Sequence, residues 1–228
     1  MSPLSHVRLF EGLPLDALRR LEAGALTIDA HNDEEIFAQD EPGGSLYAII
    51  GGEGRVRIGA IDRRSKKLMV EMFAAGDVFG EMNVIDGGPR SASAVVDGRV
   101  RLMRLSGANF TSVLNDTPQL GVNLARMLSQ RLRRTFALFQ DATFETVEVR
   151  LARQILYLGA LQGRRTEAGI VLKNRLKQAD LADLLGTTTR SIITVLNAWR
   201  AADIVRYDTD RAQLTIHNEA ALRALFEG

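Results

Sequence analysis

The sequence contains no cysteine. That removes disulfides, thiol nucleophiles and every cysteine-ligated metal or iron–sulfur centre. Its three histidines, His6, His31 and His217, lie far apart, and none falls at metal-ligand spacing. No nucleophile–base pair and no Walker motif is present either, so neither a catalytic residue nor a metal ligand is expected, and the chain does not read as an enzyme. No apolar run is long enough to span a bilayer, and the N-terminus lacks the apolar core of a signal peptide. A cytoplasmic protein without a membrane partner is the expectation. A dominant charge sign is missing too, since the net charge is only +1.

That small net charge hides an asymmetry. Residues 1–116 carry 13 Lys and Arg against 17 Asp and Glu, whereas residues 117–228 carry 16 against 11. The basic half is the one suited to a polyanion. A length of 228 residues allows one large or two modest domains, and 46% hydrophobic with 25% charged residues describes an ordinary globular chain.

One stretch organises the rest, Val78-Phe79-Gly80-Glu81-Met82-Asn83-Val84-Ile85-Asp86-Gly87-Gly88-Pro89-Arg90-Ser91-Ala92-Ser93-Ala94. It reads as a turn, a short helical piece, a glycine-proline loop and an arginine opening a strand. Gly80 has no Cβ and lets backbone approach a ligand. N–H groups at the start of the short helix can face an anion. Arg90 supplies a planar, permanently charged fork for phosphate oxygens, and Ser91 a hydroxyl. Glu81 is acidic beside a proposed phosphate, so it suits a sugar hydroxyl instead.

Around this stretch, residues 3–26 read as a short amphipathic helix with Pro14 near its start and Leu15, Leu18 and Leu21 at helical spacing. From Leu26 to Leu105 short β runs take over: 35–37, 45–50, 54–58, 67–73 and 92–105. Gly43-Gly44, Gly51-Gly52, Gly54, Gly76 and Gly87-Gly88 mark the corners. This pattern predicts a β-roll or jelly-roll-like sandwich. A long helix follows, with Thr117 as cap, Pro118 in the first turn and Leu120, Leu124, Leu128, Leu132 and Phe136 recurring every four residues. The stripe is broader than a coiled-coil seam, which fits packing on its own β-domain and on a second copy together; burial within one monomer is the alternative.

The last segment starts near Glu145 with another helix through Val147, Leu151, Ile155 and Leu158. A polar turn is expected over 159–169. Then Gln178 to Leu185 reads as a helix, Gly186 as the turn, and Thr188 or Thr189 as the cap of a second helix. Leu181, Leu185, Ile192 and Leu196 would share a core, with Ala182 small at the crossing. That is helix-turn-helix chemistry, whose second helix enters a DNA major groove by its N-terminal end. Asp203–Tyr207 and Gln213–His217 read as a hairpin wing; for the helix-turn-helix before it, an unrelated helical hairpin is the alternative.

With cassette, long helix and helix-turn-helix in that order, nearly the whole chain resembles the CRP/FNR family of bacterial transcription regulators, and within it the cyclic-AMP receptor branch. The resemblance implies an α+β architecture in three parts: a cyclic-nucleotide-binding β-roll over 1–116, a dimerisation helix over 117–144, and a winged helix-turn-helix over 145–228. It implies no prosthetic group, an effector that is cAMP or cGMP, and three partners: a double-stranded operator, a second copy of the chain and, for activation, RNA polymerase. The family's iron–sulfur members need cysteines, and its haem branch wants a β-roll histidine, of which residues 32–216 have none.

By the same resemblance Gly80, Glu81, Arg90, Ser91 and Ala92 hold ribose and cyclic phosphate. Arg131 pairs with Glu81, and Thr135 contacts the base. Phe136 replaces a family serine that reaches the partner's nucleotide, so it either closes over a base or packs the dimer seam. A threonine hydroxyl donates and accepts, and so serves adenine or guanine. The family's Arg-Glu-x-x-x-Arg readout becomes Thr189, Arg190 and Thr194 here. Arg190 is the leading base contact, because arginine suits guanine edges. Ser191 and Thr194 reach bases or phosphates, while Lys177, Thr187 and Thr188 reach phosphates. A regulator indifferent to cAMP and cGMP, acting alone or with a cyclic dinucleotide, is the competing expectation.

Overall fold

The computed structural model describes residues 2–61, 67–172 and 175–227. The chain divides into two compact units. Among the described residues, one comprises 2–61 with 70–134, the other 67–69 with 135–172 and 175–227.

The first unit opens with two 3₁₀ turns and α1 (Leu15–Glu22), which Pro14 precedes. Eight strands follow: β1 (Leu26–Ala30), β2 (Glu35–Phe37), β3 (Ser45–Gly52), β4 (Arg55–Ile61), β5 (Lys67–Phe73), β6 (Val78–Phe79), β7 (Ser93–Asp97) and β8 (Val100–Ser106). They form two four-stranded sheets ordered β1-β8-β3-β6 and β2-β7-β4-β5, with antiparallel pairing. The expected run 92–105 is therefore two strands. Gly98, at φ +91°, turns the chain between them, and its Cα side sits about 3.0 Å from the Gly54 Cα, measured from an added Cβ. Gly52 and Gly54 are tighter still: a Cβ there would lie 2.3 Å and 2.6 Å from backbone atoms of the 97–99 turn.

Two apolar clusters fill this unit. Phe37, Tyr47, Ile49, Val56, Phe79, Ala94, Val96 and Leu102 pack between the sheets. Leu4, Phe10, Leu18, Leu21, Leu46, Leu105, Phe110, Val113, Leu120 and Leu124 join the helices to the outer face of β3 and β8. Phe110 and Val113 belong to α3 (Gly107–Asp116), a helix absent from the sequence expectation.

The 27-residue α4 (Pro118–Phe144) runs from the first unit into the second. Leu120 and Leu124 are buried, and Asn123 donates to the carbonyls of Leu9 and Glu11 at 3.0 Å and 2.8 Å. The expected every-fourth stripe is split. Its first two leucines belong to the core, whereas Leu132 and Phe136 are 57% and 60% exposed. A second face emerges at a three-four spacing: Val122, Ala125, Ser129, Leu132, Phe136 and Phe139, every one exposed.

The second unit continues with α5 (Val147–Gln162), whose first turn is capped by the Thr146 hydroxyl. The polar turn expected over 159–169 is instead the end of α5 and a hairpin of β9 (Gly163–Thr166) and β10 (Gly169–Leu172). Next come α6 (Gln178–Leu185), α7 (Thr189–Ala201), β11 (Val205–Asp208), β12 (Gln213–Ile216) and α8 (Glu219–Ala224). The wing is a four-stranded sheet ordered β11-β12-β10-β9. Gly186 ends α6 at φ +58°, a left-handed conformation that a side chain disfavours. Leu181, Leu185, Ile192, Leu196 and Trp199 are all buried, and the Trp199 indole donates to Glu148 of α5 at 2.9 Å.

Candidate functional site

The organising stretch folds as β6, a sharp turn at Gly80, α2 (Met82–Asp86), a loop through Arg90, and β7 from Ser93. Arg90 therefore precedes the strand instead of opening it. Gly80 is required twice over. Its φ is +76°, and an added Cβ would lie 2.8 Å from Arg90 Nη1 and 3.3 Å from Phe37 Cε1. Gly87 caps α2 in the left-handed conformation, and the buried Asn83 amide donates to the Gly88 carbonyl, closing the loop.

Arg90 is buried, and its fork faces inward. Nη1 donates to the Gly80 carbonyl and Nη2 to the Ser45 carbonyl, each at 2.8 Å. The guanidinium lies 4.2 Å from the Phe37 ring centroid, a cation–π contact, and its Nε–H is buried without a partner among the described residues. Burial lowers its pKa, opposed by Tyr47, Glu41 and Glu81, yet a guanidinium stays charged throughout. The result is a fixed positive charge at the edge of an aromatic cluster in which Tyr47 and Phe79 stack at 5.2 Å.

Glu81 is 2% exposed and accepts from Arg131 Nη1 at 2.6 Å. Arg131 Nη2 donates to the Val78 carbonyl at 2.5 Å, and its guanidinium sits 4.4 Å from the Phe73 ring. This ion pair ties α4 to the Gly80 turn. Ser91 is exposed, with its hydroxyl 3.8 Å from the Met82 sulfur, while Ala92 is buried. The first unit thus gathers Gly80, Glu81, Arg90, Ser91, Ala92 and Arg131. Thr135 and Phe136 belong to the second unit's part of α4, and both are exposed.

Sequence reasoning passed over Phe37, Phe73 and Ser45, which position the two arginines. It also passed over Glu71 of β5. Burial pushes the Glu71 carboxyl above its usual range, opposed by its hydrogen bond to Met72 and by Arg134 and Arg131. The signal was a lone acid among the apolar residues Leu68, Met69, Val70, Met72 and Phe73.

In the second unit Thr188 caps α7: its hydroxyl accepts from Ser191 N–H at 3.1 Å and lies 2.9 Å from the Ser191 hydroxyl. Thr189, Arg190 and Thr194 are exposed along the first two turns, and the Thr194 hydroxyl donates back to the Arg190 carbonyl at 3.0 Å. The Arg190 guanidinium makes no ion pair or hydrogen bond among the described residues. Ile193 is 37% exposed on the same face, a residue the sequence reading did not single out. Thr187 is half-buried and Lys177 exposed, the latter just ahead of α6, where Asp180 accepts from its backbone N–H at 3.1 Å. Among the described residues no cluster could hold a metal ion, and no helix is long and apolar enough to cross a membrane.

Comparison with known proteins agrees with both units. The cyclic nucleotide-binding domain family matches residues 28–117, and the Crp-like helix-turn-helix domain family matches residues 149–225. A CRP-like cAMP-activated global transcriptional regulator from Mycobacterium tuberculosis is 28% identical over 221 residues, covering 97% of this chain and 98% of that protein. The cyclic AMP receptor protein of Thermus thermophilus is 28% identical over 187 residues, covering 82% and 81%. FixK2 from Bradyrhizobium japonicum shares the fold, with a TM-score of 0.77, 21% identity and coverage of 88% of this chain and 96% of that one. So does the c-di-GMP responsive global regulator CLP of Xanthomonas campestris, with a TM-score of 0.76, 21% identity and coverage of 90% and 99%.

Proposed function

The chain belongs to the CRP/FNR family of transcription regulators, and from that premise we propose that it is a homodimer whose operator affinity is set by a cyclic nucleotide, cAMP or cGMP. The carrying observation is the buried Glu81–Arg131 pair at 2.6 Å. It joins the Gly80 turn to α4, so a ligand that engages Glu81 must act on the helix as well. The ribose hydroxyl would go to Glu81, and the cyclic phosphate to the backbone of residues 80–83, the charge of Arg90 and the Ser91 hydroxyl. A ligand favouring one arrangement of α4 shifts the population toward it. By domain, residues 1–116 would take the effector, 117–144 the partner subunit and 145–228 the DNA.

The face of α4 formed by Val122, Ala125, Ser129, Leu132, Phe136 and Phe139 supports the second copy. Its three-four spacing is that of a two-helix seam, and leaving it in water is costly. Phe136 then packs the seam. Phe136→Glu should convert dimer to monomer in sedimentation, and a variant that remains dimeric would remove this helix from the interface. For DNA, Arg190 offers a bidentate fork to guanine, Thr189, Ser191 and Thr194 flank it, and Lys177, Thr187 and Thr188 lie toward phosphates.

The test is calorimetric titration with each mononucleotide, followed by operator binding with and without it. One site per subunit and ligand-dependent DNA binding are expected; DNA binding unaltered by a bound ligand would refute the switch. One observation favours a second reading, in which the regulator ignores both mononucleotides and acts alone or with a cyclic dinucleotide: both terminal nitrogens of Arg90 are already engaged by protein carbonyls. Unchanged thermal stability on adding cAMP or cGMP, with operator binding intact, would select it, because a tight ligand must raise stability.

A further inference from the structure

Glu71 lies on β5 two residues before Phe73 and so shares its face. Phe73 packs against the inter-sheet cluster, stacks near Phe79 and lies under the Arg131 guanidinium. Val70, of opposite parity, is exposed. Glu71 is therefore carried toward the side where Arg131 meets Glu81. One of its carboxyl oxygens accepts from the Met72 N–H at 3.2 Å. The other charged groups facing it are Arg131 and Arg134 of α4 and Asp77 of the turn before β6. A carboxyl held this way is costly for a strand, where an aliphatic side chain would bury at less expense. The charge is better explained by something it reads.

We propose that Glu71 is the base-reading residue of the effector site and that it selects guanine. This rests on the assignment of residues 80–92 to the ribose and cyclic phosphate, since the base must then lie on the α4 side of Glu81. An ionised carboxylate only accepts hydrogen bonds. Guanine presents two parallel donors, N1–H and the 2-amino group, which fit the two oxygens as a bidentate pair. Adenine presents one donor beside the lone pair of N1, which a carboxylate repels. A guanine edge can come from cGMP or from a cyclic dinucleotide, and the chemistry at Glu71 is the same for both.

The experiment is calorimetric titration of the full-length protein and of Glu71→Gln with cAMP, cGMP and cyclic di-GMP in turn. Wild type should favour a guanine ligand over cAMP by about tenfold to hundredfold, the discrimination expected of charge-assisted hydrogen bonds. The cGMP and cyclic di-GMP arms identify the source. Glutamine offers one donor and one acceptor and matches the adenine edge, so Glu71→Gln should move the ratio toward cAMP by a similar factor. A residue that only supports the fold would weaken all ligands together. Preference of wild type for cAMP, or an unchanged ratio in Glu71→Gln, overturns the inference while leaving the effector site standing. Binding of none of the three by folded wild type overturns the effector assignment and the inference with it. Should Glu71→Gln fail to fold, wild type alone suffices. The cGMP-to-cAMP affinity ratio should climb with pH as the carboxyl, held above its usual range by burial, ionises, and a flat ratio refutes the role.

Discussion

Replacing Gly80 by alanine tests the inward-facing Arg90 directly. At φ +76° an alanine pays roughly 1–2 kcal/mol for left-handed backbone. Its Cβ would also stand 2.8 Å from Arg90 Nη1. That is the end of a side chain, so it can withdraw, but withdrawal breaks the 2.8 Å hydrogen bond from Nη1 to the Gly80 carbonyl. A hydrogen bond from a charged donor is worth about 1.5–3 kcal/mol. The total is roughly 2.5–5 kcal/mol, or about 5–20 °C in Tm for a chain of this size. Gly87→Ala is the matched control. It lies in the same loop at φ +70°, with nothing within 4 Å of the added Cβ, so it should cost only the backbone term, about 1–2 kcal/mol. Parallel thermal and urea unfolding would resolve the difference of about 2 kcal/mol. Equal losses in the two variants would refute the clamp geometry of Arg90.

Three further outcomes are expected. Arg131→Gln strands Glu81, which is nearly fully buried; breaking a buried pair costs about 3–5 kcal/mol, and the partial exposure of Arg131 reduces this to about 2–3 kcal/mol, with Glu81→Gln restoring part of the loss in a double-mutant cycle. Glu71 has a raised folded-state pKa, so its burial favours the neutral acid and wild type loses stability as pH climbs through that value. Glu71→Gln should therefore be the more stable protein at neutral and alkaline pH, the gap closing on acidification; a gap independent of pH would place Glu71 in water. Arg190→Ala should weaken operator binding about tenfold to hundredfold and relax selection at one guanine, whereas Lys177→Ala should weaken all sequences alike and flatten the salt dependence in fluorescence anisotropy.

The helix-turn-helix was legible because its signals are local: Gly186 and Thr188 stop and start helices by their own conformations and side chains. The strands were legible as runs, but the 92–105 run was read straight through Asp97-Gly98, a dipeptide that favours a tight hairpin turn, because Val96 and Val100 lie so close on either side. α3 was missed because Gly107, Asn109, Thr111 and Asn115 are poor helix formers; burial of Phe110 and Val113 holds it together. The β9–β10 hairpin was missed because Arg164 and Arg165 are exposed on an edge strand and show no alternation. At the site, residue types were readable and directions were not. Arg90 reaches the carbonyl of Ser45, 45 residues earlier, and no spacing encodes that contact.

The interlocked turns at Gly52, Gly54 and Gly98 bear on how this chain can drift. Each glycine is pressed against the backbone of the other turn, with distances of 2.3–3.0 Å from an added Cβ, and backbone cannot step aside as a side chain can. No change at one position makes room for a side chain at another. The three sites should thus behave as a single indivisible character in a saturation-mutagenesis map: a dark block with no permissive double variants, set within strands whose solvent-facing positions vary freely.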